Sequence, residues 1–156
     1  MKAIPASASP CFQRGAYAIE FAVVFLIFFA VLYAVICYGM LFAFRLGLQN
    51  AAEDGARAAL QYQSTIDGRK NRAVNVAISK SNWMPQVVKP VVSAQICRAE
   101  GSNECTPLTC GPAWSQRCQI EVLVQANNLE SLLPPMPSFA VPSQIAGKAS
   151  MLLDLR

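Results

Sequence analysis

The polarity of the chain changes character three times. Residues 1–13, MKAIPASASPCFQ, are rich in Ala, Ser and Pro and show no periodicity, which reads as a leader without regular structure. From Phe21 to Phe44, 24 residues, there is no charged side chain. At about 1.5 Å of rise per residue this run covers roughly 36 Å as a helix, enough to cross a hydrocarbon core of about 30 Å. The next stretch, RLGLQNAAEDGARAALQYQ (45–63), is rich in good helix formers. One continuous helix from about residue 16 to about 62 is therefore expected. Asp67-Gly68 reads as a turn, and Val74, Ala77, Ile78 and Ser81 then fall at helical spacing, predicting a second helix over about 69–83 that ends before Pro85.

Beyond Pro85 the texture turns to β. QVVKPVVSAQIC (86–97) and CQIEVLVQAN (118–127) are rich in Val and Ile. The second alternates, with Ile120, Val122 and Val124 on one side and Glu121, Leu123 and Gln125 on the other. Pro90 places the first strand at an edge or starts it later. SQIAGKASMLLDLR (143–156) reads as a third strand, with Gly147 as a weak point or bulge. LESLLPPMPSFAVP (129–142) is a proline-broken connection with a short helical start. The expected fold is α+β: a long N-terminal membrane helix that continues into a small domain with an antiparallel sheet of about three strands.

Small residues recur every fourth position along the long helix: Gly39, Ala43, Gly47, Ala51, Gly55 and Ala59, with Ala30 and Ala34 one register away. Such a stripe lets helices approach closely, within one chain or between chains.

Charge adds an orientation. The leader carries Lys2 and Arg14 and no acid, whereas Arg45, Glu53 and Asp54 follow the span. The basic excess favours a cytoplasmic N-terminus and export of the rest. The net charge of +4 is too mild and too dispersed to indicate nucleic acid as a partner. The apolar run is longer than a secretory h-region of about 7–15 residues, and no small-x-small cleavage site follows it. Cys37, preceded by bulky Val35 and Ile36, does not fit a lipoprotein signal, and inside the apolar run it reads as a small apolar residue.

Cys97, Cys105, Cys110 and Cys118 lie between two expected strands, in a compartment that permits disulfides. Four cysteines allow three pairings. A hairpin of 86–97 with 118–127 favours the nested arrangement, Cys97–Cys118 at the neck and Cys105–Cys110 inside it. The side-by-side arrangement, Cys97–Cys105 with Cys110–Cys118, remains open. A zinc site is disfavoured, because the chain has neither a CxxC nor a histidine.

The absence of histidine excludes Ser-His-Asp and Cys-His nucleophiles. There is no GxxxxGK[ST] loop and no GxGxxG. Glu53, Asp54 and Glu121 read as solvated surface, and Trp83 and Trp114 as packing or lipid-surface residues. No enzyme activity and no cofactor are expected.

One acid stands at the start of the apolar run. A charge at mid-bilayer costs about 2.5–3.5 kcal/mol. If the chain were cut after Gly15, Ala16 would carry a new α-amine, and Glu20, its fifth residue, would lie about one helical turn away. The amine would then compensate the carboxylate, within the chain or between neighbours. The pattern in RGAYAIEFAVVF (14–25) resembles the processing site of type IV prepilins. With GLQNAAEDGARAAL (47–60), IEVLVQANNLESLLP (120–134) and IAGKASMLLDLR (145–156), the chain resembles TadE-like minor pilins, or pseudopilins, of the tight-adherence (Flp) pilus system. Relatives often carry a proline shortly after the Glu-Phe pair; Leu26 stands at about that place here.

The resemblance implies a leader at 1–15 that a prepilin peptidase removes between Gly15 and Ala16, a transmembrane helix over 16–44, and an exported periplasmic domain over 45–156. The processed chain would keep 11 basic and 9 acidic side chains, a net charge of +2. The resemblance further implies a single-pass bacterial inner-membrane protein that takes a non-enzymatic part in pilus assembly, surface adherence and biofilm formation. Its partners would be other pilins and the inner-membrane assembly platform, and its place would be the membrane or an extracellular fibre. The alternative is an unprocessed, signal-anchored periplasmic interaction protein.

Overall fold

The computed structural model describes residues 14–99, 105, 110–135 and 140–153. The expected leader, except for its last two residues, lies outside them. Two helices, α1 (Arg14–Ala58) and α2 (Ile66–Ser81), precede three strands, β1 (Val91–Arg98), β2 (Cys118–Asn127) and β3 (Gln144–Leu152). The chain divides within α1 into two units, Met1–Tyr38 and Gly39–Arg156.

The first unit is the lower part of α1. Its large apolar side chains, Phe21, Leu26, Ile27, Phe28 and Val31 among them, are exposed. Phe21, Phe25 and Phe29 stack along one face at helical spacing, with ring centroids 5.7 and 4.4 Å apart. Each such side chain left in water would forgo about 1.5–3 kcal/mol of burial. Among the described residues α1 is the one helix long and apolar enough to cross a membrane.

The second unit is built on a three-stranded antiparallel sheet in the order β1-β2-β3. β2, the central strand, buries Cys118, Ile120, Val122, Val124 and Ala126 on one face. That face packs on Leu48, Ala52 and Ala56 of α1, on Ala59 just past its end, and on Ala73 and Ala77 of α2. A Cβ at Gly55 would lie 2.9 Å from both the Ala73 carbonyl oxygen and the Ala77 Cβ, and a Cβ at Gly47 would meet the Trp83 ring. α2 therefore runs back along α1. A Cβ at Gly147 of β3 would meet the α1 backbone at Leu48 and Gln49.

Gln49 completes the contact. Its Nε2 donates to the Lys148 carbonyl at 3.0 Å, and the Lys148 N–H donates to its Oε1 at 3.1 Å. One side-chain amide thus satisfies a pair of backbone groups on an edge strand, where unpaired groups invite a foreign strand.

Several boundaries differ from the sequence expectation, each for a local reason. α1 stops at Ala58 rather than near 62, in a turn closed by the Leu60 N–H on the Arg57 carbonyl. α2 starts at Ile66 rather than 69, because Thr65 is its N-cap: the Thr65 hydroxyl accepts from the Gly68 N–H at 3.0 Å. Asp67-Gly68 is consequently the first helical turn and not a loop. β1 begins after Pro90, and a short 3-10 turn occupies Gln86–Val88. No bulge occurs at Gly147, which stays in register opposite Val124.

The glycine contacts give a graded prediction. Gly147→Ala places a methyl against helix backbone that cannot move alone, and should destabilise the chain by about 1–3 kcal/mol, as overpacking does. Gly39→Ala meets nothing within 4 Å and should leave stability unchanged or slightly raised. Thermal unfolding of the detergent-solubilised chain distinguishes the two.

Candidate functional site

The candidate site is α1 itself, together with what holds its upper half. Arg14, Gly15 and Ala16 form its first residues. Glu20 is exposed on the following turn and makes no ion pair among the described residues. It stands four residues after Ala16, so the two positions share a helix face.

The small-residue stripe splits in two. Gly47, Ala51, Gly55 and Ala59 are covered within the chain, where Gly55 lies against α2 and β2 and Gly47 lies under Trp83. Gly39 and Ala43 are exposed, and a Cβ at Gly39 would meet open space. The same spacing therefore serves intramolecular packing above and an unoccupied face below.

Glu53, Asp54 and Glu121 are engaged in surface contacts. Glu53 lies 3.7 Å from Arg57 and accepts from Gln49 Nε2 at 3.1 Å, Asp54 lies 3.3 Å from Lys80, and Glu121 lies 2.7 Å from Lys148. Such exposed pairs contribute about 0–1 kcal/mol each. Gln49 and Lys148 were not distinguishable by sequence: a Gln among helix formers carries no signal for a strand residue 99 positions away. No grouping of three or more metal-ligating side chains occurs among the described residues. An open cavity of about 280 Å³ is lined by Ala99, Trp114, Arg117, Gln119 and Leu152, with the Arg117 guanidinium 4.7 Å from the centre of the Trp114 ring.

The cysteines correct the favoured pairing. Cys97 bonds Cys105 and Cys110 bonds Cys118, side by side rather than nested. The register explains why. Cys97 sits opposite Gln119, and Cys118 opposite Arg98. The two cysteines are offset by one residue at the hairpin neck, and a one-residue offset puts side chains on opposite faces of a sheet. Cys118 shares the core face with Ile120, while Cys97 is on the other face. Each takes a partner from the connecting loop instead. Cys37, the free cysteine among the described residues, is buried.

With this geometry in place, the comparison with known families is informative. Residues 15–57 match the model of the TadE-like protein family. The match begins at Gly15 and ends at Arg57, one residue before α1 does. The TadE-like segment thus contains Glu20, the uncharged run and five of the six stripe positions. The resemblance read from 14–25 and 47–60 is met there, while the segments 120–134 and 145–156 lie outside the match. No curated protein and no solved structure matches the chain.

Peptide mapping under non-reducing conditions, with a cut between Cys105 and Cys110, should yield two separate disulfide-linked pairs. Recovery of a Cys97–Cys118 peptide would contradict the register.

Proposed function

We propose that this chain is a non-enzymatic minor pilin, or pseudopilin, of the tight-adherence pilus system, cut after Gly15 by a prepilin peptidase. The observation that carries the reading is the TadE-like match, which starts at Gly15 and runs through Glu20 into the uncharged run of α1. A second support is the exposure of that helix: its apolar side chains need lipid or other helices around them. The role is assembly, with adherence and biofilm formation as its consequences. The N-terminus faces the cytoplasm, where the cut is made, and the disulfide-bearing domain faces the periplasm.

In this reading Glu20 has a defined physical task. Cleavage converts Ala16 into a free ammonium, and that charge compensates the Glu20 carboxylate at the edge of the apolar run, within the subunit or from one subunit to the next. The subunit is drawn from the membrane by α1, and the exposed Gly39 and Ala43 present a close-approach surface to neighbouring pilins or to the assembly platform.

The mass of the membrane-extracted protein tests the processing. A species beginning at Ala16 is expected from native cells, and should disappear when the prepilin peptidase is deleted. An uncut N-terminus in native cells would overturn the proposal in favour of an unprocessed, signal-anchored interaction protein. Glu20→Gln should preserve cleavage while lowering pilus output, read by shearing and quantifying surface fibres.

A further inference from the structure

The folded unit and the uncharged run overlap. Leu41, three residues inside the end of that run, belongs to the core cluster, and Met40 and Phe44 pack against it. The run has 24 residues, and a hydrocarbon core of about 30 Å needs about 20 of them. The remaining turn, Leu41–Phe44, rises about 6 Å, which matches an interfacial layer of roughly 5–7 Å on each side of the core. The lower edge of the folded unit is then level with the headgroups.

The side chains at that edge suit the position. α2 returns along α1 and ends at Ser81, so the next turn arrives beside Phe44 and Gly47. There the Trp83 ring stacks on Phe44, with centroids 5.8 Å apart and planes 6° from parallel, and lies over Gly47. Trp83 nevertheless keeps 51% of its surface exposed. Phe42 and Leu46 are exposed on the same part of α1, and Val87 in the segment that follows Trp83. Arg45 and Lys89 are exposed as well and make no ion pair among the described residues. Tryptophan prefers the membrane–water boundary, where its ring is half in apolar surroundings and its N–H finds a polar partner.

We infer that the turn after α2, centred on Trp83, is a lipid-contacting surface that seats the folded unit on the outer headgroup layer of the bilayer that α1 crosses. Arg45 and Lys89 complement anionic headgroups beside it. The glycine at position 47 is what lets the ring lie flat on α1 at this depth, since any Cβ there would meet it. The inference rests on the membrane reading of α1, not on cleavage or on pilus assembly.

The test uses the full chain carrying Trp114→Phe, which leaves Trp83 as its one tryptophan. It is reconstituted in vesicles of phosphatidylcholine and phosphatidylglycerol. Trp83 should emit at a blue-shifted wavelength. It should lose most of its emission to lipids brominated near the headgroup end of the acyl chain, and little to lipids brominated near the chain terminus or to aqueous iodide. The companion variant Trp83→Phe, which retains Trp114, should be quenched by iodide and not by lipid. Free quenching of Trp83 by iodide would overturn the inference. Shielding from both iodide and lipid would also overturn it, by assigning the surface to a protein partner. Alkaline carbonate separates the underlying readings: a chain that is stripped from the vesicles fails the membrane reading too, whereas one that stays and shows an iodide-quenched Trp83 fails this inference alone.

Discussion

Direct backbone contact along one side of α1 is the constraint on which the rest of the folded unit depends. Two glycines permit it, and a third admits an aromatic ring on the same helix. Gly55 lets α2 cross against α1, Gly147 lets β3 touch the α1 backbone at Leu48 and Gln49, and Gly47 admits the Trp83 ring. The close approach puts Ile120, Val122 and Val124 under a lid of alanines instead of bulky side chains. It also brings the Gln49 amide within reach of the Lys148 backbone. Were α1 held a methyl group further away, the edge of β3 would lose those bonds and the core would gain voids that alanine cannot fill.

The same helix meets two surroundings. Above Gly47 its small face is consumed by the chain's own α2 and sheet. Below, Gly39 and Ala43 continue the spacing with nothing on them, among exposed Phe, Leu, Ile and Val. A small-residue stripe is by itself indifferent to its partner, because close approach is its only requirement. What divides the stripe is the pitch of the helix: each four-residue step turns about 40° beyond a full turn, so Gly39 and Ala43 lie on a different side of α1 from Leu41 and Leu48, which the core buries.

The parts of the fold that were legible in the sequence are those set by local periodicity. The alternation of residues 118–127 gave the strand and sorted its residues onto two sides, of which the core buries the Ile120, Val122 and Val124 side. The uncharged run and the helix formers after it gave α1 over nearly its whole length. Features set by tertiary register were not legible. The nested cysteine pairing assumed that two cysteines flanking a hairpin face each other, yet a one-residue offset separates Cys97 and Cys118 across the sheet. Gly147 looked like a defect in a strand because the helix backbone that needs it lies about a hundred residues earlier. Asp67-Gly68 looked like a turn because the competing signal, the Thr65 cap, is only a single hydroxyl. Of the candidate site, Gly15, Ala16 and Glu20 were legible as a spacing, while the division of the stripe into covered and open halves required the structure.

The central claim is that α1 passes from lipid into a packed, exported domain near Phe44. Single cysteines placed at exposed positions of α1 test it most directly: Phe28→Cys, Val35→Cys, Asn50→Cys and Arg57→Cys, each treated in intact spheroplasts with a membrane-impermeant maleimide. The account predicts that the cysteines at 50 and 57 react from the outside while those at 28 and 35 stay unmodified. Reaction at 28 or 35, or protection of 50 and 57 until the membrane is broken, would contradict it.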